Sequence, residues 1–226
     1  MGIFDEIFKK NVKGYIGYYG LEDWWNITFT NEEKEYIINT YKPIGDSLSG
    51  EIKILGEVLI KGNIEFTSQS KIFFLVLLSS WFSSSNSVGI GLKIIEEVER
   101  LTIGNRNNNP LDEHFAYGAM IKIYYKLRDS EKSYFEKAVN ACKSQIRISL
   151  KSKEAFLKEN KGSPLPRTIG FQQLAIIYEK LKEYDSAIET CKIALEQGWA
   201  GDWEKRIERY ELRLKKQNIN HSRNHS

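Results

Sequence analysis

The chain has 226 residues, with 33 Lys and Arg against 30 Asp and Glu, so its formal net charge is only +3. That balance is too weak to imply nucleic acid on its own, and the length allows either one large core or an elongated array. The strongest apolar run, Ile72 to Phe82, is about half of what a bilayer span needs, so it reads as a buried helix.

MGIFDEIFKK lacks an uninterrupted apolar core and a small-residue cleavage pattern, and Glu6 stands where a myristoylation motif wants Ser or Thr. The sequence therefore predicts a cytoplasmic protein without a membrane segment. Ile3, Phe4, Ile7 and Phe8 suit one or two amphipathic turns. The stretch that follows, GYIGYYGLEDWWNITF, is rich in aromatics and broken by Gly14, Gly17 and Gly20. Such a segment either plugs onto a core or offers rigid flat side chains as a recognition surface. Thr30 with Glu33 is a capping box, which predicts a helix from Asn31 to Tyr41, stopped by Lys42-Pro43.

Residues 44–67 are ambiguous. Glu51 to Ile60 and Asn63 to Thr67 have the Ile, Val and Phe content of a hairpin turning at Lys61-Gly62, yet their alternation is imperfect and an extended loop fits as well. Ser68 or Ser70 caps a helix to Phe82, the serine-rich turn Ser83 to Ser87 follows, and Val88 to Ile103 forms a partner helix with Leu92, Ile95 and Val98 on its buried side. Gly104 to Pro110 is a break.

Two helix pairs come next. Phe115, Tyr117, Met120, Ile121, Tyr124 and Leu127 define a helix over 113–128, and Phe135, Ala138, Val139, Cys142 and Ile146 define its partner over 131–149. A linker with a helical piece at Glu154 to Leu157 leads to Gly162-Ser163-Pro164-Leu165-Pro166, which cannot be helical. In the second pair, Phe171, Leu174, Ala175 and Tyr178 precede a turn at Lys182 to Asp185, and Ala187, Ile188, Cys191, Ala194 and Leu195 follow it. The pairs echo one another: Tyr124-Tyr125-Lys126-Leu127-Arg128 matches Tyr178 to Lys182, and Ala138 to Lys143 matches Ala187 to Lys192. Both cysteines, Cys142 and Cys191, fall mid-helix on apolar faces and read as buried, reduced thiols. Gly198 ends the second pair, and Asp202 caps a last helix to Lys216, with Trp203, Ile207, Tyr210 and Leu214 on one face and Arg206, Arg209, Glu211 and Arg213 on the other.

The stretch from Thr168 to Gly201 resembles a tetratricopeptide (TPR) repeat in its Leu-Ala, Tyr, Tyr, Ala-Ile and Ala-Leu order and its length, with Trp199 where the family usually has proline. The resemblance implies an all-α, right-handed α-solenoid of helical hairpins over 68–217, closed by a capping helix. An irregular aromatic-rich module, 1–67, precedes it and a flexible tail, 218–226, follows. It also implies a non-catalytic adaptor that holds a protein or peptide in a concave groove. In the family's register Ile169, Gln172, Ile176, Glu179 and Lys180 face that groove, and by the internal echo so do Phe115, Gly118, Lys122, Tyr125 and Lys126. Trp199 and Trp203 with Arg206 add a stacking site at the exit turn, unless they simply pack the last helix.

Catalysis finds little support in the residues. His221 and His225 lie in the tail, and His114, in the first turn of a helix, is the one candidate general base, with Tyr117 and Arg128 as companions. No His and Cys have metal-ligand spacing, no phosphate or nucleophile motif is present, and no cofactor is implied. The alternative to an adaptor is a ligand-sensing regulator or nucleic-acid-associated factor using the basic last helix; the sequence leaves a homo-oligomer open.

Overall fold

The computed structural model describes residues 12–43, 54–104 and 109–223, with side chains as far as 219. The described residues form eleven α-helices and one 3-10 turn, with no strand among them. The chain divides into two compact units, Met1–Val98 and Glu99–Ser226, and the boundary expected at 67/68 from the repeat resemblance lies inside the first unit.

In the first unit the helices are α1 (Gly14–Tyr18), α2 (Glu22–Thr28), α3 (Asn31–Thr40) and α4 (Lys71–Ser80), with the 3-10 turn at Leu55–Leu59. α3 starts where its capping box says: Thr30 Oγ1 accepts from the Glu33 amide at 3.2 Å, and the Glu33 carboxylate accepts from the Thr30 amide at 2.9 Å. Ser70 caps α4 with its hydroxyl alone, accepting from the Phe73 amide at 3.0 Å. The glycine-aromatic segment is part of the core. Ile16, Trp25 and Phe29 are buried, Tyr19 donates to Gln69 O at 2.8 Å, and its ring stacks on Phe74 at 5.0 Å. Gly14 sits at φ +59°, and a methyl there would collide with the Val58 carbonyl. Lys93 Nζ donates to both Glu33 oxygens at 2.7 Å and to Thr28 O at 3.1 Å, so the carboxylate that caps α3 also anchors it.

No hairpin forms over the described part of 51–67. Val58, Leu59 and Ile60 are buried one after another, whereas a half-buried strand would turn every second side chain to water, and the run coils instead. Residues 51–53, and the amphipathic turns expected at 3–10, lie outside the described residues.

α5 (Val88–Gly104) spans the division between the units. The second unit continues with α6 (Pro110–Leu127), α7 (Lys132–Arg147), α8 (Ser149–Glu159), α9 (Ile169–Leu181), α10 (Tyr184–Glu196) and α11 (Trp203–Arg223). α6 begins three residues before the expected Glu113 because Asn109 accepts from the Leu111 amide at 2.8 Å and Pro110 occupies the first turn, where its missing N–H is harmless. α6 pairs with α7 and α9 with α10, α9 also packs on both helices of the earlier pair, and α11 packs on α10. The second connection is only Lys182-Glu183, with Lys182 in the left-handed region at φ +61°. Phe171, Ala175, Ala187, Cys191 and Ala194 form its core with Trp199, Trp203 and Tyr210; the alanines leave room for the rings. Both thiols are fully buried and unpaired to one another, as their helical register requires.

Two expectations change here. The helical piece at 154–157 is a full helix, α8, and the tail expected from Asn218 onward continues α11 as far as Arg223. The proline-rich segment before α9 pairs with the exit turn of α10 through a single parallel bridge, Arg167 to Ala200.

Candidate functional site

Tyr125 lies in the last turn of α6 and Lys180 in the last turn of α9, 55 residues apart, yet Lys180 Nζ donates to Tyr125 OH at 3.0 Å. They meet because α9 packs on both helices of the α6–α7 pair. Arg128, just past the end of α6, folds back so that its guanidinium lies 4.4 Å from the centre of the Tyr125 ring; its Nη1 donates to Tyr125 O at 2.7 Å and its Nη2 pairs with Asp129 at 3.0 Å. The Lys180 ammonium is 5.5 Å from the same ring. With Lys132 and Phe135 from the start of α7, these residues line an open depression of about 540 Å³. Three cations, one carboxylate and two rings give it a positive, partly apolar character.

Of the other groove positions, Gly118 is buried against Gln145 and Ile169, and Phe115 packs on His114 and Phe156. Lys122 and Lys126 stand exposed on α6, and Gln172 and Ile176 are half-buried on α9; none of the four lines the depression. Glu179 is committed elsewhere, because its carboxylate accepts from Arg209 Nη2 at 3.1 Å and Arg213 Nη1 at 2.7 Å, tying α9 to α11. The exit-turn trio is a correction too. Trp199 and Trp203 are buried: Trp203 Nε1 donates to Trp199 O at 2.7 Å, Trp199 Nε1 to Gln197 Oε1 at 2.8 Å, and Arg206 Nε to Asp202 at 2.7 Å. Trp203 packs the last helix onto Phe171 of the second pair, Trp199 packs on His114 of α6 and Phe156 of α8, and neither ring presents a stacking surface.

Arg128, Lys132 and Phe135 escape a register that assigns the wall to the first helix of each pair alone. The signal for them is the longer first connection, residues 128–131 against Lys182-Glu183 in the second pair, which brings the start of α7 beside the end of α6.

His114 is also not where its position in the first turn suggests. It is 4% exposed, its ring stacks on Trp199 at 5.5 Å and meets the edge of Phe156 at 5.1 Å, and its Nδ1 finds no hydrogen-bond partner. Burial pushes its pKa down to about 4, which leaves the ring neutral at physiological pH. Burial likewise pushes the Cys142 thiol up to about 12 and the Cys191 thiol to about 11, the opposite of what a nucleophile needs. Among the described residues no three His, Cys, Asp or Glu gather to hold a metal ion, and no helix is long and apolar enough to cross a membrane.

The fold and the depression together define an all-helical protein with a cationic, aromatic-lined surface site at the turn of a helical hairpin. No protein-family model matches the chain, and neither a curated protein nor a solved structure matches it.

Proposed function

We propose that the second unit is a non-catalytic, TPR-like scaffold that holds a protein or peptide partner, with the helical pairs arranged as a right-handed solenoid and α11 as its cap. The observation that carries this reading is the meeting of Tyr125 and Lys180, equivalent ends of two successive hairpins, in one open depression. A two-residue connection and a first helix that packs on both helices of the preceding pair support it further. The cytoplasm is the compartment that fits two buried thiols with no bridge between them.

The nucleic-acid alternative is weakened by the pairing of its arginines, since Arg206 is held by Asp202 and Arg209 and Arg213 by Glu179. Lysine-directed cross-linking of the full chain in its native cell, read by mass spectrometry, tests the proposal. Partner cross-links concentrated on Lys122, Lys126, Lys132 and Lys180 are the expected result, and partners that link only to the first unit or to α11 overturn it.

A further inference from the structure

We infer that the depression at the α6–α7 turn takes an acidic peptide segment, an inference that rests on the scaffold reading and names the chemistry of its partner. The charge of the lining is the first argument. Arg128, Lys132 and Lys180 outnumber the single carboxylate, Asp129, and that carboxylate is already paired with Arg128 at 3.0 Å.

The donors left over are the second. Lys180 spends one N–H on Tyr125 OH, and an ammonium has three; that phenol, accepting from Lys180, keeps its own O–H to donate. Lys132 meets only a loose partner, Glu136 at 3.7 Å, with side chains 89% and 61% exposed, so an incoming carboxylate competes with water more than with protein. These donors come from the end of α6, the start of α7 and the end of α9, and they are spread around the depression rather than gathered into one backbone nest. A volume of about 540 Å³ exceeds a single ion and suits several side chains of a peptide, with Phe135 offering an apolar contact. Lys122, one helical turn before Tyr125, extends the cationic surface along α6 for a second acidic residue.

A single-stranded nucleic acid fits less well. Such binders stack successive bases on several open rings, and the Tyr125 ring is already in contact with two cations.

The test uses the full chain and fluorescence anisotropy with four labelled probes: a short, doubly capped, Glu-rich peptide containing one Phe, the same peptide with Gln for Glu, the same peptide with Lys for Glu, and a short oligo-dT. The Glu peptide is expected to bind at least about tenfold tighter than the Gln peptide, with the difference shrinking as salt rises. Lys180→Glu should weaken it by about tenfold at an unchanged circular dichroism spectrum, and a Lys-for-Glu peptide should recover binding to that variant. Lys132→Glu, at a position whose side chain is 89% exposed, repeats the test should the first variant misfold.

Equal affinity for the Glu and Gln peptides, both lost in Tyr125→Ala, overturns the acidic partner and leaves the scaffold standing. Tighter binding of oligo-dT, Glu-peptide binding indifferent to both charge reversals, or no binding by any probe also overturns the inference. The cross-linking pattern decides the scaffold separately.

Discussion

The two ends of α6 show how the same ingredients serve opposite purposes. At its start, His114 is walled in by Trp199, Phe115 and Phe156; at its end, Tyr125 is ringed by Arg128 and Lys180 and open to solvent. About 16 Å of helix separates them. Both are aromatic clusters with a nitrogenous neighbour, and what differs is water. Where water is excluded, the polar ring is kept neutral and contributes through packing. Where water remains, the cations keep their charge and their spare donors. Stability and binding are therefore expected to respond to different ends of one helix.

The largest effect should come from the closed end. Trp199→Ala removes a buried indole that contacts His114 and Phe156, and should cost about 4 kcal/mol in chemical denaturation; a loss below about 1 kcal/mol would mean the box is not closed. Next comes Gln145, buried between the pairs, which accepts from the Gly170 amide at 2.6 Å and from Thr168 Oγ1 at 3.2 Å and donates to His114 O at 2.7 Å. Gln145→Leu strands all three groups and should cost about 3 kcal/mol.

The pH dependence has a definite sign. Because the folded pKa of His114 lies near 4, below its ordinary value of 6.5, the fold prefers the neutral ring. This contribution is fully present above about pH 6.5 and is lost as pH falls toward 4, by about 3 kcal/mol in all. His114→Phe should flatten that part of the stability profile, and an unchanged slope would show that other groups set it.

Glu179→Gln should cost about 1 kcal/mol, since Arg209 and Arg213 are each nearly half exposed and water screens the pairs. At the open end, Lys180→Ala should change stability by less than about 0.5 kcal/mol, whatever it does to binding. A larger loss there would erase the contrast between the two ends.

What could be read in advance was local. The Thr30–Glu33 box, the Ser70 cap and the left-handed Gly198 each depend on neighbours a few residues away, the buried cysteines on the apolar face of their own helix, and each stands in the structure as the sequence implies. The echo between the two pairs was legible because the same apolar spacing recurs. The candidate site was legible only in part. Tyr125 and Lys180 followed from register, but Arg128, Lys132 and Phe135 depend on how a four-residue turn folds back. Glu179 and Trp199 looked like surface and turn positions until α11 and α8 covered them. His114 misled for the same reason, and because α6 starts at Pro110 it stands past the first turn, where Trp199 and Phe156 cover it. Residues 55–60 failed differently, since their β-branched content suits a strand while their three consecutive buried side chains do not.

Each helical pair keeps one cysteine on its second helix, Cys142 in α7 and Cys191 in α10, and both are held protonated and out of solvent. An alkylating reagent can therefore reach either sulfur only while the packing over it is transiently open, and Cys142 lies near Tyr178 of α9 while Cys191 lies near Arg206 of α11. The two modification rates, followed side by side, time the loosening of α9 from the first pair against that of α11 from the second, and they do so without an added probe.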